Sequence, residues 1–365
     1  MVYIHIPFCK RKCNYCAFNS KIGDEDEKNL YVDALIEEMN LRGNDIYTDT
    51  VYLGGGTPTT LTLDRLEQIA LAVEENFTVD KRAEITIEAN PSTVNANYLR
   101  GLQFLGFNRI SLGVQTFDDN TLKILGRLHD SRTAVMTVEL AKKFFDNVSI
   151  DLMYGLPNQT MNLLRRDLNF VKALNVQHVS IYGLEIEAGT KFFELNNKNQ
   201  LNLPEENLCA DMYDLIMETL PTLGYRRYEI SNFAKENFES RHNVGYWTGK
   251  NYLGFGAGAH SFDGKLRTSN VRDVAAYIKG NVPAIEEVVT RQAAMEEFCF
   301  LGLRMVKGIS AQDFENKFGV KISDVFGEVI NKNCGLGLLK VDGDKISLTE
   351  RGMALGNEVF ADFLL

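Results

Sequence analysis

A chain of 365 residues, 45% hydrophobic and 24% charged, has ordinary globular make-up and the length for one large domain and a smaller one. Its formal net charge of -10 argues against general binding to nucleic acid or an anionic membrane, and no apolar run is long enough to span a bilayer. Six cysteines are too few for a disulfide framework, and the opening MVYIHIPF has no basic region or signal-like apolar core, so the expected compartment is the cytoplasm.

The first half alternates strand and helix patterns. Val2 to Pro7 reads as a strand. Val32, Leu35, Ile36 and Met39 then mark one face of a helix. Further strands start at Thr50, Ala83 (stopped by Pro91), Arg109, Val148 and His178, with helical patterns between them, as at Leu164, Leu168, Val171 and Leu174. About six such units predict an α/β fold with a parallel sheet, an open or partial (β/α)6 barrel. A doubly wound open sheet is the alternative.

Polar residues and glycines gather where each strand ends: a cysteine loop, Gly54 to Thr57, Glu88 with Asn90, Gln115, Asp151, and Gly183 with Glu185. In β/α barrels the loops at the C-terminal strand ends build the site, so these positions are expected at one mouth. A mixed region from about Pro204 to Pro283 carries SRHNVGYW and YLGFGAGAHSF, whose glycines Gly254, Gly256 and Gly258 are expected to allow close packing at the mouth. The expected division is a core over 1–285, with the barrel over about 1–200, and a small winged-helix-like domain over 290–365. Ser310 with Asp313 predicts a helix cap there, and Asp342-Gly343 a hairpin turn. From Arg291 to Leu365 there are nine Lys/Arg against eleven Asp/Glu, a net of -2, which favours an interaction or lid role over DNA binding.

Cys9, Cys13 and Cys16 lie on one short loop, whereas Cys209, Cys299 and Cys334 are scattered among apolar neighbours and read as buried small hydrophobes. Three thiols can serve zinc, an iron–sulfur cluster or redox chemistry. Structural zinc wants four ligands, usually in two pairs, and a redox pair needs no third cysteine. A four-iron cluster normally takes a cysteine on each iron, so three would leave one iron open to a small molecule. Lys10, Arg11 and Lys12 would favour thiolates and offset an anionic cluster, or simply form a solvated loop. The glycines of GGGTPT are read as letting a ligand approach the backbone.

CKRKCNYC after a first strand resembles the signature of the radical S-adenosylmethionine (SAM) superfamily. That resemblance implies a [4Fe-4S] cluster on Cys9, Cys13 and Cys16 whose open iron chelates SAM. YIHIPFC, GGGTPT, IEANP, LGVQTF, GRLH and IDLMYGLP resemble a narrower group: the oxygen-independent coproporphyrinogen III dehydrogenases and their relatives, the HemW-type haem chaperones. This implies SAM contacts from Tyr3, Tyr15, Gly55, Gly56, Thr57 and Glu88, and contacts to a second SAM from Gln115, Arg127 and Asp151. His5 reads as a core or supporting histidine.

Two departures separate the relatives. Phe18 stands where the dehydrogenase pattern has a further cysteine, and only eight residues precede Cys9. HNVGYW resembles the H-N-x-x-Y-W motif of the chaperones. It implies haem contacts from His242, Asn243, Tyr246 and Trp247, with histidine as a potential axial ligand. The expected function is a haem chaperone that delivers haem to recipient apoproteins, with an electron donor if SAM is cleaved. The alternatives are coproporphyrinogen III oxidation and a haem-opening radical methyltransferase.

Overall fold

The structure, a computed structural model, describes residues 1–43, 45–280 and 285–364. Six parallel strands form its centre: β1 (Val2–Ile6), β2 (Ile46–Gly55), β3 (Phe77–Ala89), β4 (Arg109–Gln115), β5 (Asn147–Tyr154) and β6 (His178–Gly183). Later segments extend both edges. An antiparallel pair, β7 (Arg226–Glu229) and β8 (Asn232–Ala234), joins β6, and β9 (Leu253–Phe255) runs parallel beside β1. The sheet order is β7-β8-β6-β5-β4-β3-β2-β1-β9, so the barrel is open. β2 and β3 start earlier than their hydrophobic stretches predict, at Ile46 and Phe77, because the polar segments there pair with each other across a register shift at Thr48/Thr50.

Helices return the chain between the parallel strands, among them Glu25–Arg42, Leu63–Asn76, Ala96–Phe104, Ser131–Ala141 and Met161–Leu174. Their starts are fixed by side-chain caps: Asp24, Thr62, Asn95, Asp130 and Thr160 each accept from a backbone N–H three residues on. Their apolar stripes cover one face of the sheet.

The two faces of the strands differ sharply. Strand alternation sends Ile4, Leu53, Ile87, Leu112, Ile150 and Ile181 outward, where they are buried beneath the helices in one continuous core. The inward set is Tyr3, Tyr52, Glu88, Ser111, Asp151 and Ser180, and all six line one cavity. The interior of a closed β/α barrel is packed with branched side chains. This interior is polar and hollow.

The chain beyond Arg291 has its own core, including Cys299, Phe314, Phe326, Leu348 and Phe363. Helices Arg291–Gly302, Ala311–Phe318 and Ile322–Gly335 pack there against the hairpin Leu339–Asp342/Lys345–Leu348. Asp342 pairs with Lys345, so the turn is Gly343-Asp344, one residue later than expected. Asp344 then accepts from Ser310 Oγ and Gln312 N, while Ser310 caps Asp313 N. The helix start and the hairpin are thereby one unit. Pro283, the expected end of the mixed region, lies outside the described residues. Of the three scattered cysteines only Cys299 is buried. Cys209 and Cys334 are half-buried.

The face assignment has a direct test in urea denaturation. Ile150→Ala, on the covered outer face, is expected to cost about 2–5 kcal/mol. Ser180→Ala, one strand over on the hollow inner face, should cost under about 1 kcal/mol. Equal costs would contradict the assignment.

Candidate functional site

The cysteine loop leaves β1 at Pro7 and is tied down on several sides. Cys9 N donates to Lys21 O at 2.9 Å, and Lys21 N to Pro7 O at 2.7 Å. Asn14 donates through N to Leu125 O and through Nδ2 to Ile124 O. Lys12 Nζ donates to the carbonyls of Phe18 and Ser20, both at 3.1 Å, and so clamps the loop as well as charging it. Burial pushes the Cys9 and Cys16 thiols up, with the Lys12 charge acting against this at Cys16.

The end of β2 lies against this loop. Gly56 N donates to Ile6 O and Thr57 N to Phe8 O, both at 2.8 Å. A Cβ on Gly56 would lie 2.8 Å from Phe8 O, and one on Gly55 (φ +111°) would lie 2.4 Å from the His5 ring. These glycines admit the protein's own loop and His5, and both glycines also line the cavity that opens at the cysteine loop. His5 is a supporting residue: Nε2 donates to Asn19 O at 2.8 Å, which leaves Nδ1 to accept from Tyr3 Oη at 2.9 Å. Gly256 packs as closely, with a Cβ there only 2.5 Å from His5 O. Gly256 thus lets the end of β9 lie along β1, while Gly254 packs against His260 and Gly258 against Asn19.

A cavity of about 400 Å³ opens at the cysteine loop and runs down inside the strands. It brings together Tyr3, Cys9, Cys13, Tyr15, Cys16, Gly55, Gly56, Thr57, Glu88, Gln115, Arg127 and Asp151. Glu88 accepts from Tyr52 Oη at 2.7 Å and from Gly55 N at 3.1 Å. Burial nevertheless raises it to about 7, and Asp151 adds to the rise. Asp151 accepts from Ser111 Oγ at 3.1 Å and is raised by burial to about 6. Among the described residues Arg127 makes no carboxylate pair. Its guanidinium donates to Cys13 Sγ at 3.4 Å and to Gly113 O, bracing the cysteine loop against β4. Gln115 has φ +72°, at the register shift between β4 and β5. Such a bulge re-aims a side chain, and Gln115 Oε1 accepts from Tyr182 Oη at 3.2 Å.

Helix Arg241–Trp247 closes the opposite end of this lumen. Glu84, on the early part of β3, accepts from the backbone N–H groups of Arg241 and His242 at 3.0 and 3.1 Å. His242 is 1% exposed and its ring is fully engaged: Nδ1 with Thr50 Oγ1 at 2.8 Å and Nε2 with Tyr246 Oη at 3.1 Å. It stacks on Tyr52, and burial lowers its pKa to about 3. The axial-ligand role expected for His242 therefore has no free ring nitrogen in this arrangement. Asn243 and Tyr246 line the lumen floor, but Trp247 does not. The Trp247 ring lies 4.2 Å from the Arg304 guanidinium and packs with Tyr228 and Met305, tying the floor to the C-terminal region. From Thr50 to Gly55 is five strand residues, so floor and mouth are about 16 Å apart.

Tyr52, Arg109, His178 and Tyr182 also line the lumen and were not singled out from the sequence. Strand alternation was the available signal: Arg109 and Ser111 precede Gln115 on β4, and His178 and Ser180 precede Tyr182 on β6.

A second cavity of about 840 Å³ adjoins the first and shares Tyr15, Cys16, Phe18 and Tyr182 with it. Its other walls come from β5 and β6, the helix Glu206–Thr222 and residues 353–358, with Met153, Ile181, Ile216, Met217, Met353 and Leu355 contributing apolar surface.

Residues 3–171 match the Radical SAM superfamily, and residues 289–355 match the HemN C-terminal domain. The chain is 39% identical to the haem chaperone HemW of Bacillus subtilis, covering 99% of this chain and 98% of that one. It belongs to the HemW family. HemW of Lactococcus lactis is also 39% identical, over 100% of this chain and 97% of its own, and HemW of Escherichia coli is 32% identical over the same shares. Among solved structures, the coproporphyrinogen III oxidase HemN of Escherichia coli, a radical SAM enzyme, superposes with a TM-score of 0.87 at 25% identity. The match covers 100% of this chain and 89% of HemN.

Membership of the radical SAM superfamily implies a [4Fe-4S] cluster and SAM. The donor set suits the cluster. The three thiols are free of disulfides and half-buried around the lumen mouth. Among the described residues, no three His, Cys, Asp or Glu side chains converge on a single metal-ion position. Cluster cysteines each take a separate iron, and three free thiols lining one cavity mouth supply three such ligands.

Two outcomes follow from this geometry. His242→Ala strips buried hydroxyls of Thr50 and Tyr246 of their partner and should cost about 1–3 kcal/mol in chemical denaturation. For Glu88, a folded value near 7 against an ordinary 4.5 means that the folded chain holds the proton more tightly. That stabilisation is complete below about pH 4.5 and is lost as pH rises through 7, an effect on the order of 3 kcal/mol. In ligand-free protein, the melting temperature of the native chain should therefore fall relative to Glu88→Gln across this window. A constant difference would contradict the burial argument.

Proposed function

We propose that this chain is a haem-binding chaperone of the radical SAM type that delivers haem to recipient apoproteins. Cys9, Cys13 and Cys16 would hold the cluster, which supplies an open iron for SAM and, with an electron donor, reducing power. Tyr3, Tyr15, Gly55, Gly56, Thr57 and Glu88 would seat SAM at the mouth, and Gln115, Arg127 and Asp151, on the neighbouring strands and loop, would contact a second SAM. His242, Asn243 and Tyr246 would form the lumen floor.

The observation that carries the haem reading is the second cavity. Ligand pockets of about 300–1,000 Å³ with mostly apolar walls suit bulky flat ligands, and this one, at about 840 Å³, shares a wall with the cysteine loop. Phe18 lines both cavities and is 69% exposed, so its ring is free to stack on a macrocycle. The same position carries cysteine in the dehydrogenase pattern. Full-length likeness to proteins named haem chaperones supports the reading. Coproporphyrinogen III oxidation is the second reading, favoured by the superposition on HemN over the whole chain.

One preparation tests both. Anaerobically reconstituted protein should bind haem by optical titration and show no conversion of coproporphyrinogen III with reductant and SAM present. Met217→Glu, which places a charge in the apolar wall, should weaken haem binding about tenfold or more. His242→Ala should leave the haem spectrum unaltered. Sustained coproporphyrinogen turnover would replace this reading with the oxidase.

A further inference from the structure

Arg109 starts β4 and stands in register between Thr86 of β3 and Asn147 of β5. It is 2% exposed and lines the lumen below Glu88 and Asp151. No described residue forms a hydrogen bond or ion pair with its guanidinium, and its Nε is buried without a partner. The hydroxyl of its cross-strand neighbour Thr86 is likewise buried and unpartnered. The lumen acids are engaged elsewhere: Glu88 with Tyr52 and Gly55 N, Asp151 with Ser111. The lumen histidines engage other groups too, His178 with Ser149 and Tyr228, His242 with Thr50 and Tyr246.

The charges of Glu88 and Asp151 act on this guanidinium, but no hydrogen bond holds it and its Nε is buried, which is unfavourable until a ligand pairs with it. Arg127 Nε and Asn232 Oδ1 in the same wall also lack partners, but Arg127 uses its other nitrogens on Cys13 and Gly113 and Asn232 donates to Glu229, whereas the Arg109 guanidinium engages no described residue by hydrogen bond. We propose that Arg109 anchors a carboxylate of the ligand that occupies the lumen. The planar fork of N–H donors matches a carboxylate in two parallel hydrogen bonds. A singly charged carboxylate suits a lumen that also holds Glu88 and Asp151, whereas a phosphate dianion would be repelled by both. The carboxylate has two possible sources: the amino-acid end of SAM and a propionate of haem. The haem source rests on the function proposed above, while the SAM source rests only on superfamily membership.

The test uses the reconstituted full chain and Arg109→Met, which keeps the bulk and removes the charge. Affinities are measured for SAM against decarboxylated SAM, and for haem against haem dimethyl ester. In the native chain at least one acid should be preferred over its carboxylate-free analogue by about tenfold. In Arg109→Met that preference should collapse to about threefold or less. A preference due to iron chelation would survive the substitution, so the change between the two proteins is the readout. Ligand-free Arg109→Met should melt at or above the native temperature, because an unpaired buried charge has been removed. Preferences that are the same in both proteins would overturn the proposal. So would an Arg109→Met chain that melts more than about 5 °C lower or does not fold, since Arg109 would then be supporting the barrel. Absence of haem binding in the native chain would remove the proposed function and leave the SAM pair to decide the role of Arg109.

Discussion

The structure depends on how the six parallel strands divide their two faces. Ile, Leu and Val at alternate positions put the whole apolar face of the sheet under the helices. The hydrophobic stabilisation therefore comes from outside the lumen, and the inner face is free to carry tyrosines, carboxyls, serines, an arginine and histidines. A barrel packed from within could not hold a ligand there. This one is stable while hollow, and the sheet stays open between its edge strands β7 and β9.

Polar groups in such a lumen are held in a low dielectric, and this shapes their chemistry. Glu88 and Asp151 are pushed toward neutrality by burial, against the donors that Tyr52, Gly55 and Ser111 provide. A cationic group arriving at the mouth would draw both back to the ionised form. The lumen also has direction. The cysteine loop, braced by Arg127 and Lys12, forms one end, and the Arg241–Trp247 helix, held by Glu84, Thr50 and Arg304, forms the other. The chaperone motif is thus a floor and a brace to the C-terminal region in this arrangement, at the far end from the cysteines.

Much of this was legible in the sequence. Alternating strand and helix patterns placed the six central strands, and polar residues at the strand ends marked the mouth, because the C-terminal ends of parallel strands converge. Cys9, Cys13 and Cys16 stood out by spacing alone. Four things were not legible. The polar starts of β2 and β3 lack a hydrophobic signal and form by pairing with one another. The glycines after β2 read as ligand space, but whether backbone or ligand fills that space is decided by the loop that packs there. The motif resemblance implied a haem-ligand role for His242, because its partners Thr50 and Tyr246 are visible only once the helix caps the barrel. Arg109 was missed because a lone arginine at a strand start reads as an exposed edge residue, and only the curl of the sheet turns it inward.

The central claim is that ligand chemistry occupies the cysteine end of a one-ended chamber, with haem in the apolar annex beside Phe18 and the His242 helix serving as the floor. Anomalous X-ray diffraction at the iron edge from reconstituted, haem-loaded crystals tests this most directly. The account predicts iron density at Cys9, Cys13 and Cys16 and a separate iron in the cavity walled by Phe18, Met217 and Leu355. A haem iron bonded to His242 Nε2, with Tyr246 displaced, would contradict it.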